Sequence, residues 1–203
     1  MGNELKGAVR MGKERHEGKI LLETSELIFR GTDYRMKIAF AEMRDVKAAN
    51  GELRVATNDG VSTFEVGAAA EKWREKILHP KTRAEKLGVK PGTRVRLLGE
   101  FEASFVKELQ GANAKIFQAA NVANVDQTFF AADRKSALSA IGKFARNMKG
   151  AEALWIVYPK GRKDVTEMDV IAAGRKAGLK DVKVVGFSST NTALKFVIPL
   201  ENR

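Results

Sequence analysis

Leu154-Trp155-Ile156-Val157-Tyr158-Pro159-Lys160-Gly161-Arg162-Lys163-Asp164 is an apolar run that breaks at a Pro/Gly pair into a basic loop. A short continuous apolar run bounded by turn residues reads as a strand buried on both faces. Asp164 and Glu167 then have the spacing of a capping box, for a helix carrying Met168, Ile171 and Ala172 and ending at Gly178. This is the strand-to-helix turn of an open α/β sheet, and such sheets bind ligands outside the carboxyl ends of their strands. Lys160, Arg162 and Lys163 stand at that mouth, beside a helix start whose unpaired N–H groups attract anions. They are the candidate anion-binding residues. Tyr158 adds a stacking face, and Thr190 and Asn191 close the site from the last hairpin. The same residues also fit a solvated loop beside a capped helix.

Outward from this stretch, strand and helix patterns alternate. Thr82 and Glu85 form a capping box for a short helix over Arg83–Leu87, which Gly88 ends. Val95–Gly99 reads as a strand, and Phe101, Phe105, Val106 and Leu109 follow at helical spacing. Lys115–Phe117 is a weak strand and Gln127–Ala131 a better one. Asp133 is placed to cap a helix with Ala137, Leu138, Ile141, Ala145 and Met148 on one face. Val182–Val185 and Ala193–Ile198 are too close in sequence for a parallel crossover, so the chain closes on an antiparallel hairpin.

Residues 1–79 follow a different pattern. Ile20/Leu22, Leu27/Phe29, Met36/Ile38/Phe40, Leu53/Val55 and Phe64/Val66 alternate with polar residues, as half-buried antiparallel strands do. Asn50-Gly51 and Asn58-Asp59-Gly60 supply turns. About seven short strands are expected, and Ala69, Trp73 and Ile77, four apart, predict one closing helix. Two domains follow, 1–79 and 80–203, in an α+β chain.

Charge supports the division. The chain of 203 residues carries a net +11. Residues 1–80 hold 14 Lys and Arg against 13 Asp and Glu, so nearly all of the excess lies in the second domain. An anionic partner, nucleic acid among them, is one expectation, and a merely soluble basic surface is the other. No cysteine is present, which removes disulfides, thiolate metal sites and cysteine nucleophiles. No apolar segment approaches the roughly 20 residues of a membrane span, so a cytoplasmic protein without membrane association is expected.

Two resemblances follow from these residues. Asn58-Asp59-Gly60, Phe64-Glu65-Val66-Gly67 and Glu71-Lys72-Trp73 make the first domain resemble the pleckstrin-homology-like fold, an antiparallel barrel or sandwich with one C-terminal helix. Lipid-binding members of that superfamily place basic residues in the first hairpin loop, where Arg10, Lys13, Arg15 and Lys19 are expected; the interleaved Glu14 and Glu17 weaken such a field. Leu87-Gly88-Val89-Lys90-Pro91-Gly92-Thr93-Arg94-Val95 and the closing hairpin make the second domain resemble a shortened, three-layer Rossmann-like fold of S-adenosylmethionine-dependent methyltransferases. It is similar to an uncharacterised bacterial family sharing Leu87–Gly92, Tyr158–Gly161 and Ala193–Phe196.

The methyltransferase resemblance implies a carboxylate in the first strand, glycines spaced two apart after it, and a second carboxylate ending the next strand. Aligned on Gly99, those positions hold Leu97, Phe101 and Ala103, with Gln118 and Asn121 at the second acid. S-adenosylmethionine is therefore not expected to bind, and no other cofactor is predicted. His16 and His79 are the only histidines, and the serines at 136, 139, 188 and 189 lack nucleophile-elbow glycines, so neither a catalytic triad nor a metal site is expected. The expected function is that of a non-enzymatic interaction or regulatory protein with a protein partner. A divergent nucleotide-cofactor-dependent transferase and a nucleic-acid-binding protein are the alternatives.

Overall fold

The computed structural model describes residues 3–119 and 122–203 of the chain, which divides into two compact units, up to Lys81 and from Thr82. The first is a curled antiparallel sheet with a helix. Its strands are β1 (Asn3–Met11), β2 (Glu14–Leu22), β3 (Glu26–Gly31), β4 (Arg35–Ala39), β5 (Asp45–Ala49), β6 (Glu52–Thr57) and β7 (Gly60–Glu65), in the spatial order β4-β3-β2-β1-β7-β6-β5. Alternation puts Val9, Ile20, Leu27, Phe29, Leu53 and Phe64 on one buried face. The curl brings β4 across to β7, where Ser62 Oγ lies 3.8 Å from Met36 Sδ. Asn50 and Gly51 both take positive φ at the β5–β6 turn, as a tight hairpin requires.

Helix α1 (Ala70–Leu78) sets Ala70, Trp73 and Ile77 into that core, against β5 and β6. The basic residues expected in the first hairpin loop are mostly in strands. Arg10 belongs to β1 and Arg15 and Lys19 to β2, and the turn itself is only Gly12-Lys13, with Gly12 at φ +59°.

The second unit is a mixed sheet with interspersed helices, resembling a Rossmann-like fold. Its elements are α2 (Arg83–Lys86), β8 (Arg94–Leu98), α3 (Ala103–Gly111), β9 (Lys115–Phe117), β10 (Gln127–Ala131), α4 (Ile141–Asn147), β11 (Ala153–Pro159), α5 (Glu167–Lys176), β12 (Lys180–Gly186) and β13 (Asn191–Val197). The order is β12-β13-β11-β10-β8-β9; β9, β8, β10 and β11 run parallel, and β13 is antiparallel to both β11 and β12. One face of the sheet packs on α2 and α3 through Leu87, Phe105, Leu109, Phe129 and Trp155. The other packs on α4 and α5 through Ile141, Leu154, Ile156, Val170 and Phe196.

Three local readings are corrected here. Asp133 does not cap α4: the chain passes through extended Arg134 into a 3-10 turn over Lys135–Ala140, with no side-chain cap. The box opening α5 is Thr166 with Asp169, two residues beyond Asp164 and Glu167. With that start the buried positions are Val170 and Gly174, one turn apart, and Met168 is 71% exposed. Among the described residues no helix is long and apolar enough to cross a membrane.

Candidate anion-binding site

The mouth after β11 brings together some of the expected residues and commits most of them to neighbours. Side chains of β11 alternate between the two cores, so Tyr158 lies with Leu154 and Ile156 on the α5 side, 4% exposed. Its hydroxyl donates to Glu167 Oε2 at 2.8 Å. Burial first, and then the carboxylate, push the phenol well above its ordinary range. Tyr158 is thus a strut between β11 and the first residue of α5, and its ring faces the core. The sequence reading of a stacking face fails because the strand's pleat turns this ring inward.

Lys160 and the last hairpin do meet. The Lys160 amide donates to Thr190 O at 2.7 Å and its ammonium to Ser188 O at 2.9 Å. Asn191 stands opposite Pro159 in the β11–β13 register. The hairpin tip satisfies itself: Thr190 Oγ1 donates to Asn191 Oδ1 at 2.9 Å, and Ser188 Oγ accepts from the amides of Thr190 and Asn191. Arg162 forks onto Asp164, with Nε 2.8 Å from Oδ1 and a second contact to Oδ2. The pair holds the Asp164 carboxyl below its usual range and raises the guanidinium. Lys163 is exposed and makes no hydrogen bond or ion pair among the described residues.

The start of α5 carries its own anions. Thr166 Oγ1 accepts from the Asp169 amide, and Asp169 Oδ2 accepts from the Thr166 amide and hydroxyl. Asp169 also takes Lys135 Nζ at 2.6 Å, and these partners, Lys135 first, lower its carboxyl to about 2. With Glu167 beside it, the first turn holds two carboxylates where an incoming anion would sit.

The strand order reverses between β8 and β10, and that switch point marks the fold's usual ligand crevice. Gly99 follows β8 at φ +94°, and a Cβ there would lie 3.0 Å from the Ala131 Cβ. Leu97 is buried in the core on the α3 side. Phe101 turns back onto the Phe105 and Phe187 rings, at centroid distances of 5.7 and 6.1 Å. Gln118 is exposed beyond β9, and Asn121 lies outside the described residues.

Arg83 locks this aromatic group, a role that its place in a short capped helix did not signal. Its guanidinium forks onto Glu108 at 3.1 and 3.0 Å, reaches Glu102 and the Phe187 carbonyl at 3.1 Å each, and sits 5.0 and 4.7 Å over the rings of Phe105 and Phe187. The side chain is 12% exposed. Its partners lie as far away in sequence as Phe187, so no local pattern could have found it.

Among the described residues no group of three or more His, Asp or Glu side chains is placed to hold a metal. His16 stacks on Tyr34 in the first unit, 4.6 Å between centroids, and His79 follows α1.

No protein-family model and no curated protein matches the chain. Among solved structures, it is similar to an S-adenosylmethionine-dependent methyltransferase from Aquifex aeolicus, 17% identical, covering 62% of this chain and 89% of that one, TM-score 0.39. A TehB-like S-adenosylmethionine-dependent methyltransferase from Corynebacterium glutamicum is 11% identical over 64% of this chain and 96% of its own, TM-score 0.39. A protein of the NADB-Rossmann superfamily from Streptococcus agalactiae is 9% identical over 57% and 67%, TM-score 0.37.

Proposed function

We propose that the protein is a non-catalytic interaction protein whose α/β unit is a scaffold, with the residues of the ligand crevice turned over to packing. The observation that carries this reading is Phe101. It occupies a position where a glycine would let a cofactor approach the backbone, and it packs there on Phe105 and Phe187, whose rings the Arg83 guanidinium covers. Leu97, at the position of the first carboxylate, is buried and apolar. S-adenosylmethionine does not fit these residues.

On this reading the mouth after β11 meets an anion through Lys163, since Lys160 and Arg162 would first have to release Ser188 and Asp164. The first unit is read as pleckstrin-homology-like, on its seven strands and the helix that seats Trp73, and its outermost strands β4 and β5 are assigned the contact with a protein partner.

The test is a thermal melt of the full chain with saturating S-adenosylmethionine or its demethylated product. No movement of the midpoint is expected. A ligand at about 100 times its Kd adds about 2.7 kcal/mol, several degrees for a unit of this size, and such a shift would overturn the reading in favour of a divergent transferase.

A further inference from the structure

The pairing of β1 to β4 builds a row of four cations that no stretch of sequence contains. Lys6 stands opposite Lys19, Lys19 opposite Arg30, and Arg30 opposite Arg35. All four are exposed on the outer face of the sheet. Strands lie about 4.8 Å apart, so the row runs about 14 Å across the sheet. Like charges directly opposite one another disfavour the pairing they sit on.

The same sheet shows how such a conflict is otherwise resolved. Arg10 and Arg15 also face one another across β1 and β2, but Arg10 is paired with Glu52 and Glu65, and Arg15 with Glu65 and Glu17 at 2.8 Å each. In the row, Lys19 alone has a carboxylate partner among the described residues, Glu4 at 2.7 Å. Lys6, Arg30 and Arg35 make no ion pair or side-chain hydrogen bond among the described residues.

Beside the row runs a line of three glycines. Gly7, Gly18 and Gly31 are in register with one another, one residue along from Lys6, Lys19 and Arg30. A Cβ at Gly18 would lie 2.4 Å from the Arg30 carbonyl oxygen. These glycines, the four cations and Thr32 line an open concavity of about 840 Å³, whose wall also holds Glu17 and Glu65, both ion-paired with Arg15.

We propose that this row is a binding site for a ligand carrying several phosphates in close succession. Four cations at strand spacing exceed what one anionic group needs, and the neighbouring guanidinium forks of Arg30 and Arg35 suit phosphate oxygens. None of the outward positions on β1–β4 is aromatic, so the face offers phosphate contacts and no platform for stacked bases. The site lies in the first unit and does not depend on the non-catalytic reading of the second.

The test titrates inorganic tripolyphosphate into the full chain by calorimetry at low salt. One site is expected, with affinity falling about tenfold or more in R30A/R35A and remaining within about twofold in K47A/K72A, which removes the same charge from the same unit. Absence of binding, or equal losses in the two double variants, would overturn the site. Sedimentation with phosphatidylcholine vesicles, with and without a phosphoinositide, then separates the sources. Pull-down that requires Arg30 and Arg35 assigns the phosphates to a headgroup, and its absence beside tripolyphosphate binding assigns them to a soluble ligand. Duplex DNA held by a protein that ignores tripolyphosphate would overturn the inference in favour of a nucleic-acid backbone.

Discussion

The Tyr158 hydroxyl and Glu167 Oε2, 2.8 Å apart, join the end of the central strand to the first residue of α5. Glu167 is exposed and can turn to water when the phenol is removed, so Y158F loses the bond without burying an orphan charge. The expected cost is about 1 kcal/mol, a fall of about 3 °C in the melting of the second unit by calorimetry. A variant that melts like the parent would mean that the strut carries no load.

Arg83 should matter far more than a surface arginine. R83A leaves Glu102 and Glu108 without their guanidinium and strips the cation from two ring faces, at an expected cost of about 2 kcal/mol, since both carboxylates retain access to water. R83K should recover less than half, because an ammonium cannot fork onto Glu108 or lie flat over a ring. Trp155 belongs to the second unit and Trp73 to the first, so urea unfolding read by fluorescence in a W73F background isolates the effect.

Gly174 inverts the ordinary helix rule. In an exposed helix interior Gly→Ala stabilises by up to about 1 kcal/mol. Here an added Cβ would lie 2.1 Å from Phe196 Cε1, inside the contact between α5 and β13. G174A is therefore expected to destabilise by about 1–3 kcal/mol as an overpacked core does. F196L beside G174A should recover part of that loss by making room, a coupling that a double-mutant cycle measures.

These sites were unequally legible in the sequence. Turn and cap chemistry is local, so Asn50-Gly51 and the Thr82/Glu85 box gave their elements directly, and the spacing of Trp73 and Ile77 gave α1, although its first buried position is Ala70 and Ala69 stands just before the helix. The Asp164/Glu167 reading fell two residues short of the box that forms, Thr166 with Asp169, and in the structure Asp164 is engaged by Arg162 instead. The row Lys6, Lys19, Arg30, Arg35 depends on register across three hairpins. With Arg15 and Lys19 assigned to a loop, no such row could be seen. The Arg83 hub depends on Phe187, which only the closed sheet brings near.

Asp169 gives the second unit an acid-sensitive fastening. Lys135, then Thr166, hold its folded carboxyl at about 2, below the unfolded value of about 3.9. A depressed folded value contributes stability that is fully present above about pH 4 and is lost as the pH falls toward about 2. The melting temperature of the parent should therefore drop relative to D169N through that window, while the difference between them stays constant from neutral pH down to about 5. Parallel curves throughout would show that the contact with Lys135 does not persist in solution.

Arg35 offers a way to separate stability from binding in the cation row. Arg30 and Arg35 face one another across β3 and β4, and R35E turns a like-charge pair into an opposite one. Cross-strand pairs of this kind are worth about 0.2–1 kcal/mol, so the first unit should melt higher, by up to about 4 °C by calorimetry, even though a residue has been changed at its most basic surface. Tripolyphosphate affinity should fall in the same protein, more than in R35A, because the new carboxylate engages Arg30 and repels the ligand. Raised stability with lost affinity is the signature of a charge row kept for its ligand against the interest of the fold. A first unit that melts lower in R35E would show that Arg35 holds the sheet together, and the row would then have a structural origin.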